Sequence, residues 1–151
     1  MYARILVPVD GSETSLKGLA EALKLAQALG ARLRLVHVVN EFIMDAGYVP
    51  SIHYEQLIVD LRDLGKKVLT AAEATVREQN VTVESELIET IGGRAADSII
   101  EVAKRWPADL IVMGTHGRRG LRRLAMGSDA ELVLRKSAVP VLMVRDAPES
   151  R

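Results

Sequence analysis

A glycine-rich loop contains the residues of this sequence that could most readily bind an anion. Gly114-Thr115-His116-Gly117 is followed by nine residues and then by Gly127-Ser128. The loop lies between a predicted strand, residues 109–113, and a predicted helix, residues 129–136. Glycines let backbone N–H groups approach an anion without a Cβ in the way, and a helix start adds unpaired donors and a favourable dipole. The order of strand, loop and helix therefore predicts a phosphate site, which we interpret as part of a nucleotide site.

The rest of the loop leaves two interpretations open. Four arginines inside it would supply positive charge beside phosphates, although the same residues suit a solvated surface. They are Arg118, Arg119, Arg122 and Arg123. Two other phosphate-binding patterns, Gly-x-x-x-x-Gly-Lys-Ser/Thr and Gly-x-Gly-x-x-Gly, do not occur in the sequence.

Ser128 also has two interpretations. Ser128-Asp129-Ala130-Glu131 has the sequence of a capping box, in which Ser128 accepts from the Glu131 amide and the glutamate reaches back. Alternatively, Ser128 Oγ and the first helical amides contact a phosphate oxygen. We favour the second interpretation because of the loop that precedes Ser128.

Asp10 follows the first predicted strand, residues 3–9, and could simply form a turn before a helix capped by Ser12 or Thr14. At a ligand site, a carboxylate would repel a bare triphosphate. It would therefore have to face a ribose hydroxyl or an adenine amine, or reach the phosphates through a divalent metal such as Mg²⁺ or Mn²⁺. Val38, at the predicted end of the second strand, offers a backbone N–H, a C=O and an apolar surface to a base, but taken alone it is a core valine.

The histidines and Met113 give weaker signals. His37, His53 and His116 show no metal-ligand spacing, and His116 could donate to a phosphate or simply face solvent. Met113 is better explained as core, although its backbone would close the site. No pair of carboxylates has the arrangement of an acid–base site.

Length and composition favour a single domain with an aliphatic core, in a cytoplasmic protein. We expect a domain over residues 1–146 and a tail over 147–151, with a core of Leu, Ile, Val and Ala, because aromatic residues make up only 3%. Twenty basic and twenty acidic residues cancel, which gives no indication of a nucleic-acid partner. The absence of cysteine excludes disulfides and thiol chemistry. No apolar run reaches the roughly 18 residues of a membrane helix.

Short aliphatic strands alternate with helices, which predicts a doubly wound α/β fold with helices on both faces of a parallel sheet. Strands are predicted at residues 3–9, 33–39, 81–88, 109–113 and 139–144, helices at 12–29, 54–79 and 129–136 and around 96–103, and a loop at 40–53. The strand order 3-2-1-4-5 is expected. It makes strands one and four neighbours, and ligands bind open parallel sheets at that crevice.

Two further expectations concern packing. The first helix should bury a face of Leu16, Leu19, Leu23 and Ala26 and stop at Gly30. The fifth strand, 139–144, carries no charge and would lie at a sheet edge, where Pro140 is tolerated. We therefore predict a homodimer through this strand.

The chain resembles the universal stress protein family, in its ATP-binding branch, over nearly its whole length. The loop fits the family signature Gly-x2-Gly-x9-Gly-Ser/Thr without a gap. Three further segments are similar to family segments. They are Val7-Pro8-Val9-Asp10-Gly11-Ser12, His37-Val38 and Ala138-Val139-Pro140-Val141-Leu142-Met143-Val144.

The resemblance implies an ATP-binding domain that usually dimerises and acts in stress responses, with AMP or ADP as alternative ligands. Asp10 and Val38 would hold the adenosine end, and Gly114, Gly117, Gly127 and Ser128 the phosphates. The other candidate binding residues are Pro8, Val9, Met113, His116 and Asp129. Asp129 stands where family members often carry an apolar residue, and a carboxylate there would weaken anion binding unless it points away or binds a metal.

Fast hydrolysis is not predicted, because the sequence offers no convincing lysine for the γ-phosphate and no placed base to orient water. A slow ATPase or autophosphorylation remains open. So do an adenylate-handling enzyme and a nucleotide-free dimeric interaction protein. The hypothesis we favour is a regulatory module in which ATP orders the loop and changes the surface offered to a protein partner, whose identity the sequence does not indicate.

Overall fold

A computed structural model describes residues 1–40, 51–116 and 126–145, with the backbone alone at 51 and 52. Five parallel strands form one sheet in the order β3-β2-β1-β4-β5. The strands are β1 Arg4–Pro8, β2 Arg32–Asn40, β3 Val83–Thr90, β4 Leu110–Gly114 and β5 Val141–Val144. The helices are α1 Glu13–Leu29, α2 Ser51–Glu78, α3 Ala95–Arg105 and α4 Ser128–Lys136. The predicted class and strand order are confirmed.

Helices cover both faces of the sheet, so the central strands are apolar on both sides. In β1, Ile5 and Val7 pack with α1 and α2, whereas Leu6 packs with α3 and α4. All three side chains are fully buried. A strand buried on both faces has a continuous apolar sequence, which is why this segment shows no alternation of polar and apolar residues.

Helix α1 begins and ends as expected but buries a different face. Ser12 caps it by accepting from the Ser15 amide at 3.2 Å, and Gly30 ends it with a left-handed φ of 68°. The prediction that Leu16 is buried is wrong, because this side chain is 55% exposed. Small residues face the sheet instead: a Cβ on Gly18 would lie 3.1 Å from the Gly114 nitrogen. This close approach turns Leu16 away from the core.

Several element boundaries differ from the predicted ones. Strand β2 extends to Asn40 because it pairs with β3 as far as Thr90, and α2 already begins at Ser51. The predicted loop 40–53 is therefore wrong at both ends, and residues 41–50 lie outside the described part. Strand β3 runs two residues later than predicted. Strand β5 is shorter than 139–144, although the Pro140 carbonyl still accepts from the Ile111 amide at 3.0 Å.

Within the described residues, no helix combines the length and the apolar character needed to cross a bilayer.

Candidate functional site

A cleft of about 410 Å³ opens where the carboxyl ends of β1 and β4 meet. The two strands are neighbours, with Ile5 paired to Leu110. The helix that follows β1 packs on one face of the sheet, and the helix that follows β4 packs on the other. Divergent connections create a crevice at such a point, and ligand pockets commonly have volumes of about 300–1,000 Å³.

Ten of the eleven candidate binding residues line this cleft. They are Pro8, Val9, Asp10, Val38, Met113, Gly114, His116, Gly127, Ser128 and Asp129. Gly117 and the four loop arginines lie outside the described residues. The structure thus brings together segments about a hundred residues apart, while the role of each in binding stays a prediction.

Asp10 lines the cleft and also forms the turn into α1. Its Oδ1 accepts from the Ser12 amide at 2.8 Å, and its own amide donates to Ser15 Oγ at 3.1 Å. Ser12, and not Thr14, is the capping residue. The turn and the cleft are therefore compatible roles, because the turn fixes the carboxyl group at the cleft wall.

Val38 presents backbone groups to the cleft, although it is not the end of its strand as predicted. Strand β1 stops at Pro8, and the Val9 amide makes a final bond to the Val36 carbonyl at 2.8 Å. Alternate residues of a strand direct their N–H and C=O groups toward the same neighbour. Val38, two residues further on, therefore directs both groups past the end of β1.

Gly114 has a packing role that the loop pattern did not indicate. A Cβ at this position would lie 2.7 Å from Thr14 Cγ2 and 2.8 Å from the Thr14 carbonyl carbon and oxygen. Only glycine therefore lets the start of α1 rest on the end of β4. This contact sets how closely the start of α1 approaches the end of β4 beside the cleft.

The capping-box interpretation of Ser128 is wrong, whereas the favoured phosphate interpretation stays a prediction. The N-cap residue is Gly127, and no side chain caps the helix. The Glu131 amide bonds to the Gly127 carbonyl at 3.0 Å, and the Glu131 carboxylate pairs with Arg135 at 2.6 Å. The box fails because the helix begins at Ser128, one residue earlier than predicted.

The Gly127 amide is also occupied, since it donates to the Thr115 carbonyl at 2.7 Å. The donors that helix geometry leaves without an intrahelical partner at this end are the amides of Ser128, Asp129 and Ala130. All three residues line the cleft. An anion at this end would therefore meet the first turn of α4.

Asp129 lines the cleft, but its carboxylate bonds to another helix. Its Oδ1 accepts from the Ala96 amide in the first turn of α3 at 3.2 Å. The N-cap residue of α3 is Arg94, which makes no side-chain cap bond. Asp129 thus stabilises the start of α3 from α4.

Two histidines lie in the cleft wall in different settings. The buried His37 ring is fixed by its Nδ1–H, which donates to the Val9 carbonyl at 2.8 Å. Helix α2 packs closely against this ring at Gly65, where an added Cβ would lie 2.7 Å from His37 Cδ2. The Nδ1 atom of His116 is buried and has no partner among the described residues. A buried polar atom usually has one, so a polar ligand group would suit this position.

Sequence reasoning missed several residues of the cleft wall. They are Ser15, Val36, His37, Val39, Asn40, Leu61, Leu64, Ala95, Ile99 and Ala130. Those on β2 and α3 follow from the rule that ligands bind beyond the carboxyl ends of strands, once the strand order is known. Leu61 and Leu64 line the cleft because of how α2 crosses the sheet. The helical periodicity of this segment does not indicate that crossing.

Two carboxylates, those of Asp10 and Asp129, are the charged groups of the described cleft wall, which contains no lysine or arginine. Among the described residues, no group of three or more His, Asp or Glu side chains could hold a metal ion. The described wall therefore combines apolar surface, backbone donors and negative charge.

The fold and the cleft define an α/β protein with an open cleft at the switch point of a parallel sheet. The sequence model of the universal stress protein family matches residues 1–145. The chain belongs to this family.

Three relatives illustrate the similarity. Universal stress protein MJ0531 of Methanocaldococcus jannaschii is 34% identical, over 96% of this chain and 83% of that protein. The structure of MJ0577 from the same organism superposes with a TM-score of 0.84 at 26% identity, over 99% of both chains. A universal stress protein from Archaeoglobus fulgidus, in complex with dAMP, has a TM-score of 0.67 at 25% identity, over 95% of this chain and 98% of that one.

Proposed function

We propose that this chain binds an adenine nucleotide in the cleft and acts as a nucleotide-dependent regulatory module in a stress response, in the cytoplasm. ATP is the nucleotide we favour, with ADP and AMP as alternatives. The observation that carries the proposal is that one cleft at the switch point contains the ends of β1, β2 and β4 and the first turn of α4. The dAMP complex of the Archaeoglobus fulgidus relative supports an adenine nucleotide.

In this proposal, the adenosine end lies at β1 and β2. The backbone groups of Val38 would bond to the edge of the base, and apolar surface beside it would cover the ring. Asp10 would accept from a ribose hydroxyl, because it lines the cleft at the end of β1, where the Ser12 amide holds its carboxylate at 2.8 Å.

The phosphate end would lie at the first turn of α4. Amides of this turn and the imidazole of His116, which lines the cleft, would donate to phosphate oxygens. Each net hydrogen bond to a charged group contributes about 1.5–3 kcal/mol. Four or five of them are consistent with roughly micromolar binding, about −8 kcal/mol. Mg²⁺ or Mn²⁺ would be held through the phosphates, since the described residues form no metal site of their own.

We propose ligand binding and not fast catalysis as the activity. Enzymes that transfer phosphoryl groups rapidly use a cation and a positioned base at the γ-phosphate. The described wall has no lysine or arginine, and the ring of His37 is held by the Val9 carbonyl. Slow ATP hydrolysis is the alternative, and it can be tested by measuring ATP turnover in the presence of excess Mg²⁺ or Mn²⁺.

We also propose that the chain forms a homodimer through β5. This strand lies at the edge of the sheet, and Leu142 is 40% exposed on it. An uncharged edge strand offers unpaired backbone groups to a second copy.

Nucleotide binding can be tested by mass spectrometry of nucleotide released from freshly purified protein, followed by calorimetric titration with ATP and AMP. The variant Ala95→Trp should weaken binding at least tenfold, because the indole would occupy the cleft. Ala71→Trp is the matched control, since Ala71 is exposed on α2 and does not line the cleft. Equal affinity in both variants, or no binding to the unmodified chain, would contradict the proposal.

A further inference from the structure

Asp129 puts a negative charge into the cleft wall at the end where the proposed function puts the phosphates. It is the second residue of α4 and lines the cleft beside Gly127 and Ser128. Its carboxylate is held by the Ala96 amide at 3.2 Å, where it replaces the missing side-chain cap of α3. This bond fixes the carboxylate between the starts of two helices, whose first residues, Ala95 and Ser128, both line the cleft.

No basic side chain in the described wall offsets this charge. The other carboxylate, that of Asp10, lies at the β1 end, where it accepts from the Ser12 amide. The interaction of a fixed charge with a phosphate grows with the charge of the phosphate, and it is screened less in a cleft than on an open surface. A ligand with more uncompensated phosphate charge therefore experiences more repulsion from Asp129.

We infer that Asp129 makes the cleft select among adenine nucleotides by their net phosphate charge, and this inference rests on the proposed function. The first-turn amides of α4 attract a phosphate group. Asp129 then disfavours each further negative charge that no cation neutralises. ATP therefore binds best as its complex with a divalent cation, and a monophosphate competes well with ATP when the cation is absent. Adenosine, which carries no charge, is insensitive to Asp129.

The test uses Asp129→Asn, which removes the charge but keeps an oxygen that can accept from the Ala96 amide. Four ligands are titrated calorimetrically into the full chain and the variant: adenosine, AMP, ATP with a chelator, and ATP with excess Mg²⁺. We expect the variant to bind metal-free ATP about tenfold more tightly, and AMP and Mg²⁺-ATP about threefold more tightly, with adenosine unchanged.

Asp97→Asn is the matched control. It removes the same charge from α3, but Asp97 is exposed, pairs with Lys136 at 3.6 Å and does not line the cleft. Its affinities should equal those of the unmodified chain. Asp129→Ser is a second neutral variant, to be used if Asp129→Asn does not fold.

Three results would overturn the inference while leaving nucleotide binding intact. Asp129→Asn could change the affinities for adenosine and ATP equally, it could change neither, or Asp97→Asn could produce the same changes. If the unmodified chain binds none of the four ligands, the proposed function fails and the inference fails with it.

Discussion

The Gly127 amide donates to the Thr115 carbonyl at 2.7 Å, so the chain returns to the end of β4 just before α4 begins. The Thr115 amide in turn donates to the Val144 carbonyl of β5 at 3.0 Å. One residue thus connects the start of α4 to the edge strand. The proposed nucleotide site and the proposed dimer strand are therefore joined by two consecutive backbone hydrogen bonds.

The contact between Gly114 and Thr14 predicts that two glycine-to-alanine variants lose stability to different extents. Gly114→Ala should destabilise the fold by about 1–3 kcal/mol, because its Cβ would overlap the Thr14 backbone. Gly18→Ala should cost less, since its Cβ would lie 3.1 Å from the Gly114 nitrogen and alanine favours the helix by about 1 kcal/mol. Urea unfolding measures both changes. A Gly114→Ala variant as stable as the unmodified chain would contradict this packing.

The two helix starts predict opposite results for two serines. Ser12→Ala should cost about 1 kcal/mol, because the Ser12 hydroxyl accepts from the Ser15 amide. Ser128→Ala should change the free energy of unfolding by less than about 0.5 kcal/mol, since α4 has no side-chain cap. Thermal unfolding of the ligand-free variants measures the difference. A larger loss from Ser128→Ala than from Ser12→Ala would restore the capping-box interpretation.

The fold was predictable from the sequence because its signals are local. Alternating apolar strands and helices predicted the α/β class, and the strand order was expected as a common one among the few that right-handed crossovers allow. The failures concern contacts between distant elements. Leu16 has helical spacing with Leu19 and Leu23, yet it is exposed because Gly18 sets how α1 lies on β4.

The same limit applies to the site. The capping-box interpretation gave Ser128 a local partner, the Glu131 amide. Because α4 begins at Ser128, that amide bonds to the Gly127 carbonyl instead. The carboxylate of Asp129 finds its partner on α3, 33 residues away, which no local pattern indicates. Residues identified by their position at strand ends were predictable, whereas side-chain partners between helices were not.

The edge position of β5 predicts how dimerisation responds to charge. Leu142→Asp should convert the expected dimer into a monomer, because it puts a carboxylate on the proposed contact strand. Leu134→Asp is the control, since Leu134 is 48% exposed but lies on α4. Light scattering at micromolar concentration distinguishes the two. A monomeric unmodified chain, or equal dissociation of both variants, would count against β5 as the contact.

The ion pair between Arg62 on α2 and Glu89 on β3 predicts a pH dependence. The hydrogen bond from Arg62 lowers the pKa of Glu89, with further lowering from the charges of Arg62 and Lys66. A lowered folded-state pKa contributes stability above the ordinary glutamate pKa, about 4.3, and this contribution is lost as the pH falls through the lower value.

Glu89→Gln should therefore be slightly less stable than the unmodified chain at pH 7, and this difference should shrink as the pH falls below the ordinary glutamate pKa. Glu55→Gln, at an exposed position near the start of α2, is the control for the loss of one carboxylate. Urea unfolding at several pH values measures both. A stability difference for Glu89→Gln that grows as the pH falls would contradict the assigned sign.

The most direct test of the account is to map where an adenine nucleotide binds, by following backbone amide chemical shifts during a titration with AMP. We predict the largest changes at Val38 on β2 and at Ser128 and Ala130 in the first turn of α4, which all line the cleft. Amides near Ala71 on α2 should stay unchanged. Saturable shifts confined to residues outside the cleft, or no shifts at millimolar AMP, would contradict the claim that the ends of β1 and β4 form a nucleotide site.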